Sequence, residues 1–396
     1  MDIKKTSTGI QTFNYRVVLI LLILIPLYLF NNIYIKTIGS IFIILILLFS
    51  ILKPLIGKNK IRVSNIIIWQ TIFIMYSILM LMRTPTIKAL YSYFLQTGLI
   101  FFIGMFTQVR FNSNILEKTF KIGRIIYLIL LIPASIIAFE GGRTAFTRFD
   151  QYYSGTIYKI MLPCTFFYIA GSKRKLLKVM LFSLIYLRMV ERTSAIVLLV
   201  IYVVYVILKK IKQSNKLYNF LYIVIFNGIV IFTYIYVKLQ YTELGNKLNF
   251  LFRKYTGGNF FSGRNYIWET LFEFIKKKPL LGYGFDNNVM ELANISMSPH
   301  NTYIYILLQS GIIGLFIFFM FMYSIWKSYF KYLYNDIVMV SASYLIGTLI
   351  FINFEVSMVA NSVVIAIFYW FIIGIGIAVC NSIKYKEIDF IISKIE

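Results

Sequence analysis

Histidine is almost missing from this chain: 396 residues carry one, His300. No histidine cluster can hold a metal, and a side chain that accepts a proton near neutral pH has to be this one. Cysteine is equally scarce. Cys164 and Cys380 lie within or at the end of apolar runs, so disulfide pairing, a cysteine metal site and redox chemistry are not expected. Charged residues make up only 14% of the chain against 59% hydrophobic, a ratio that no single soluble core of this size can bury. Carboxylates are few, 15 against 40 Lys and Arg. The resulting net charge of +25 would point to nucleic acid in a soluble protein. Here most basic residues stand in short clusters between apolar runs, as membrane orientation and anionic lipid require, so no nucleic-acid partner is expected. Gly-rich nucleotide signatures of the Walker or Rossmann type are absent, which argues against an ATP-driven reaction. No internal repeat is visible, and no small-residue cleavage site follows the first apolar run, so the first helix is expected to remain as an anchor.

What is present is a succession of apolar segments. The expected fold class is all-α, a single polytopic integral membrane domain over 1–396 with about twelve transmembrane helices. The candidates are 17–34, 37–52, 65–82, 90–107, 122–139, 154–171, 175–190, 193–209, 219–238, 301–324, 337–354 and 359–380. Basic clusters at Lys4 to Arg16, Lys53 to Arg62, Arg110 to Arg124, Lys173 to Lys178, Lys209 to Lys216, Lys327/Lys331 and Lys384 to Lys394 place both termini in the cytoplasm. The long segment 238–300 then forms an extracytoplasmic loop, beside shorter outer connections near Arg83, Glu140 to Tyr153, Arg188 to Thr193 and Asn353 to Asn361.

Within that loop, Ile267, Trp268, Leu271, Phe272 and Ile275 recur at helical spacing opposite Asn265, Glu269, Glu273 and Lys276. A short amphipathic helix over 266–278 is expected, opened by Ser262 or Gly263 and stopped by Pro279 after three lysines. It either lies on the membrane surface or packs on the outer rim of the bundle. Leu281-Gly-Tyr-Gly-Phe285 follows, where Gly282, Tyr283 and Gly284 form a plain turn or let backbone amides approach an anion. His300 then closes the loop, either as an interfacial polar residue or as a base. Arg192 follows a very short outer turn and enters an apolar helix directly. It is either a snorkelling arginine paired with Glu191 or a functional cation, since ionisable groups so near hydrocarbon are costly. Arg143 and Arg148 in an earlier outer loop read in the same two ways. Loop aromatics from Tyr241 to Pro299 serve sugar stacking, interfacial anchoring or both.

Taken in order, these pieces resemble the O-antigen ligase and O-antigen polymerase superfamily of bacterial surface-polysaccharide synthesis. The resemblance covers most of the chain in hydropathy. It is sharpest in Glu191-Arg192-Thr193-Ser194-Ala195 and in Ser262-Gly-Arg264, Trp268, Pro279-Leu-Leu-Gly-Tyr-Gly284, His300-Asn301-x-Tyr303 and Gly311-Ile-Ile-Gly314. It implies transfer of an oligosaccharide from an undecaprenyl-diphosphate carrier at the outer face of the cytoplasmic membrane, without nucleotide sugar. It further implies that Arg192 and Arg264 bind the diphosphate and His300 activates the acceptor hydroxyl, with Gly282, Tyr283, Gly284, Asn301 and Tyr303 near substrate. A flippase and a chain-length regulator are the partners such an enzyme would have, beside membrane lipid. Glu191 departs from the family pattern, where many relatives have a small residue. Composition rich in Ile, Lys, Asn and Tyr favours a polymerase of capsule or exopolysaccharide. A ligase-type transfer to a lipid or protein acceptor and a lipid-linked glycan flippase remain the alternatives.

The chemistry agrees with that implication. A lipid diphosphate is already a good leaving group and needs cations to absorb its charge, whereas an acceptor sugar hydroxyl gains from a positioned base. Of the outer carboxylates, including Glu191 and Glu355, none forms a spaced pair within one motif, so nothing selects a two-carboxylate mechanism. The energy resides in the sugar-diphosphate bond, and no cofactor or metal is expected. Glycan transfer should therefore proceed unchanged in a chelator, measured as product formed with and without EDTA; a loss restored by Mg2+ would contradict this.

Overall fold

A computed structural model describes residues 19–20, 22–29, 32–56, 64–139, 157–188, 191–256, 259–261, 263–285, 291, 293–295, 298–359 and 363–385. Arg143, Arg148 and Ser262 lie outside the described residues. After a short 3-10 helix at Ile25–Leu29 come α1 (Ile33–Ile56), α2 (Asn65–Arg83), α3 (Ile87–Met105) and α4 (Ser113–Phe139). The middle of the chain forms α5 (Ile157–Cys164), the single turn α6 (Phe166–Ile169), α7 (Lys175–Arg188), α8 (Arg192–Ile211) and α9 (Asn215–Leu239). Two helices occupy the long loop, α10 (Glu243–Thr256) and α11 (Arg264–Lys277), and three complete the bundle, α12 (Thr302–Tyr329), α13 (Asp336–Phe351) and α14 (Val363–Lys384).

No strand occurs among the described residues, as the hydropathy pattern predicts. Seven of these helices, namely the first 20 residues of α1, then α2, α3, α8, α9, α12 (carried on to Tyr332) and α14, are long and apolar enough to cross a membrane. The chain is a multi-pass membrane protein. The expectation of about twelve spans is only partly met. The run expected at 154–171 is divided at Thr165, between α5 and α6, and α13 is only 16 residues long. Large apolar side chains on α2, α8 and α9, such as Met75, Leu79, Val203 and Ile231, are exposed and face the hydrocarbon.

Helix α14 lies at the centre. It is apolar on every side and has no charge before Lys384, so no face of it prefers water, and it is buried throughout. It packs against α3, α5, α12 and α13. In hydrocarbon, tyrosines tie the helices by donating to main-chain carbonyls on their neighbours: Tyr329 to Ile373 at 2.6 Å, Tyr222 to Phe319 at 2.9 Å and Tyr218 to Trp326 at 2.8 Å. The end of the bundle rich in basic residues is clamped by Asp336 at the head of α13. Its carboxylate accepts from the Gly171 amide at 2.7 Å and from the Tyr205 hydroxyl at 3.0 Å, and pairs with Lys175 at 3.0 Å.

The opposite end receives the heads of α5, α8, α12 and α14 and the tail of α13. Helix α12 is broken there. Gly311 adopts φ 64° and ψ −167°, leaving carbonyls of the preceding turn without helical partners. The segment after α11 fills the gap: the amides of Tyr283 and Gly284 donate to the carbonyls of Leu308 and Gln309 at 2.7 and 2.9 Å, and the Ile312 amide donates to Pro279 at 2.8 Å. A Cβ on residue 311 would stand 2.1 Å from the Leu280 carbonyl oxygen. Gly311→Ala should therefore cost about 2 kcal/mol or more, through backbone strain and a lost interlock. A lowered melting temperature of the detergent-solubilised protein is the expected result, and an unchanged one would contradict this account.

Candidate functional site

The loop that ends in His300 is fastened to the loop that follows α13 by four hydrogen bonds. The Thr302 amide donates to Ile352 at 2.9 Å, and the Asn301 side-chain amide donates to Asn353 Oδ1 at 2.8 Å. The Thr302 hydroxyl donates to the Glu355 carbonyl at 2.6 Å and accepts from the Ser357 amide at 3.3 Å. Asn301 also caps α12, its Oδ1 accepting from the amides of Tyr303 and Ile304 at 2.9 and 3.0 Å. These polar groups are buried, so each has to be paired within the protein. The joint fixes His300 opposite Glu355.

His300 itself has a positive φ of 46°, the left-handed region that non-glycine residues visit rarely and at some cost. Its Nδ1 stands 3.8 Å from Glu355 Oε1, and its side chain remains 35% exposed where that of Glu355 is 12% exposed. The imidazole thus has one edge on a buried carboxylate and the other open. The same Oε1 accepts a short hydrogen bond from the ammonium of Lys159, which rises from the first turn of α5. Burial alone would raise the pKa of Glu355, but contacts with His300 and Lys159 together outweigh it, and the net shift is downward. Glu191, just ahead of α8, is pushed the other way. Burial dominates its upward shift, and Glu355 adds to it, against the attraction of Lys159 and Arg264.

Both arginines are held over aromatic rings. The Arg264 guanidinium lies 5.7 Å from the Phe354 ring, next to Glu355, and that of Arg192 lies 5.7 Å from Phe252 of α10. Arg264 is the first residue of α11, which opens at Gly263 with φ 77°. An aromatic chain joins the two. Phe252 meets Phe260 at 4.9 Å, Phe260 meets Tyr236 at 6.0 Å, and Tyr236 reaches Phe354 through Phe232 by contacts of 5.6 and 5.7 Å. Tyr236 also meets Trp268 at 5.0 Å, and the Trp268 indole donates to the Pro299 carbonyl at 2.7 Å, beside His300. Trp268 and Leu271 are fully buried, so α11 packs on the rim with these residues inward rather than resting them at headgroup level.

His300, Arg264 and Arg192 are therefore brought to one end of the bundle on a common aromatic support. Other expected contacts are engaged in the fold. Asn301 is buried with its side chain engaged in the α12 cap and on Asn353, and Tyr303 is buried with its hydroxyl on the Leu349 carbonyl at 2.5 Å. The Gly282 amide donates to Lys278 at the end of α11, and the amides of Tyr283 and Gly284 donate to Leu308 and Gln309, so these amides are engaged in the turn and the α12 interlock. Glu355 and Lys159 are the additions. Each carried a signal in the sequence, an ionisable residue in or beside an apolar run, of the same kind that marks Arg192.

Residues 160–319 match the protein-family model described as O-antigen ligase. Over this region the chain is similar to the O-antigen ligase and polymerase superfamily. The O-antigen ligase match takes in Glu191, Arg192, Arg264 and His300; Lys159 precedes it by one residue and Glu355 follows it, so two members of the charged cluster come from outside. No curated protein matches the chain.

The downward shift of Glu355 has a consequence for stability. A carboxylate whose pKa is lower in the folded than in the unfolded state adds stability above its unfolded pKa, and this is lost as pH falls through the folded value. Melting temperature should therefore drop more steeply with acidification in the wild type than in Glu355→Gln; parallel curves would show that Glu355 contributes nothing through its charge.

Proposed function

We propose that the protein is a membrane glycosyltransferase that takes its donor glycan from an undecaprenyl-diphosphate carrier and joins repeat units into a polysaccharide. The observation that carries this reading is the accessible His300 imidazole backed by a buried carboxylate, at the same bundle end as Arg192 and Arg264. With the Nδ1 proton directed to Glu355, the Nε2 atom is left as the acceptor. The acceptor sugar hydroxyl gives its proton to His300 as its oxygen attacks the anomeric carbon. The bond from that carbon to the diphosphate breaks, and its electron pair leaves on the diphosphate, where Arg192 and Arg264 balance the charge. A single displacement inverts the donor configuration. Glycan transfer of O-antigen ligase or polymerase type is the activity of the superfamily, which supports the general reaction.

The basic clusters at the other end of the bundle support reading that end as cytoplasmic, and with it His300 at the outer face of the cytoplasmic membrane and both termini inside. Polymerase is preferred on the composition that favours capsule or exopolysaccharide assembly. The ligase reading rests on the family description, O-antigen ligase, and differs only in acceptor. A flippase would leave the donor chemically unaltered and would not need a base.

Replacing a positioned base costs about 10²- to 10⁴-fold in rate. His300→Ala, normally inserted, should therefore shorten surface polysaccharide on a gel to the pattern of a deletion strain while single repeat units accumulate on the lipid carrier. Arg264→Lys should also fall by at least about tenfold, because a lysine cannot reproduce the planar two-pronged contact to phosphate. Full-length polymer in His300→Ala would remove the mechanism. Full-length repeats that accumulate on the carrier without attachment would favour the ligase.

A further inference from the structure

Lys159 has no part in the chemistry just described, yet it is an ionisable side chain in an apolar helix, 19% exposed, with its ammonium on the oxygen of Glu355 that faces His300. A lysine in such surroundings is expensive unless it is paired and useful. A carboxylate alone beside an imidazole favours the protonated, non-basic form of the ring. We infer that Lys159 is a positioning residue for the same site: by sharing Glu355 Oε1, it limits how strongly that carboxylate draws a proton onto His300 and so preserves the imidazole as a proton acceptor. The inference rests on the proposed role of His300 in transfer.

The geometry is specific. Lys159 comes from the first turn of α5, His300 from the head of α12, and Glu355 from the connection between α13 and α14, so the three meet only in the folded bundle. The Glu355 main chain is fixed by Thr302, two residues after His300. The other groups acting on Glu355 and its neighbours are Glu191 at the head of α8, Tyr369 of α14 and Arg264 of α11. Glu191 resists ionisation because it is buried, so Lys159 is the group placed to offset Glu355.

His300 is the only histidine in the sequence, which allows a direct test. The full-length protein, purified through a tag free of histidine and carrying ring-labelled histidine, gives one imidazole signal whose pH midpoint is read by NMR. In Lys159→Met the midpoint should rise by about one pH unit, the size expected when a close charge loses its partner. Lys159→Arg should restore the wild-type midpoint. In the Glu355→Gln background, removal of Lys159 should move the midpoint much less. A midpoint unchanged in Lys159→Met, or a shift of equal size with and without Glu355, overturns the inference. If Lys159→Met does not fold, the Lys159→Arg variant and the double variant with Glu355→Gln still decide it: a Lys159→Arg midpoint displaced from wild type, or a double variant displaced by a full unit from Glu355→Gln, overturns it. The acid limb of the rate against pH, measured with lipid-diphosphate-linked glycan, should move with the midpoint. A midpoint that moves while the rate profile stays in place upholds the link from Lys159 to His300 and contradicts the role of His300 in transfer.

Discussion

The joint between the head of α12 and the tail of α13 governs everything at the functional end of the molecule. Here two chain reversals, each carrying main-chain groups that water cannot reach, satisfy one another through Asn301, Thr302, Asn353 and Ser357. An unpaired polar group in such a place costs on the order of 1–3 kcal/mol, so the two loops are held together or not folded at all. This pairing brings His300 and Glu355 face to face, with their side chains 3.8 Å apart. The left-handed backbone at His300 is the cost of aiming the ring at the opening while Asn301 still caps the helix.

The second constraint is electrostatic. The described residues gather Lys159, Glu191, Arg192, Arg264, His300 and Glu355 at one end of a bundle whose centre, α14, is free of charge until its last turn. Positive groups exceed negative ones there, which suits a site for an anionic diphosphate. One carboxylate is ionised between Lys159 and His300, whereas burial opposes ionisation of the other, Glu191. Aromatic rings help to hold both arginines, since a ring face attracts a guanidinium.

Much of this was legible in the sequence because membrane helices announce themselves. Seven of the apolar segments are helices long enough to cross a membrane, and the amphipathic helix expected over 266–278 is α11 at Arg264–Lys277. Arg192 stands out by entering an apolar helix directly, His300 as the only histidine, where the long loop closes, and Arg264 by its place in the Ser262-Gly-Arg264 segment of that loop. Other features depend on tertiary contacts that no local pattern encodes. Gly282 to Gly284 look like an anion loop because glycines permit close approach, and only the break at Gly311 shows that the approach is to α12. Helix α10 went unrecognised although Thr242 accepts from the Gly245 amide at its start, because the hydrophobic stretch around it is short and mixed with Lys247, Arg253 and Lys254. Glu355 lies 55 residues after His300 in a different connection, so their meeting follows from how α12 and α13 pair.

The central claim, that this bundle end carries out glycan transfer from a lipid diphosphate, is tested most directly by reconstitution. The purified protein in liposomes would be given undecaprenyl-diphosphate-linked repeat units, and released undecaprenyl diphosphate would be counted against new glycosidic bonds. The account predicts one carrier diphosphate released per bond formed, with inversion at the donor sugar. Donor that crosses the bilayer intact, or remains unaltered with the protein folded and a competent acceptor present, would contradict it.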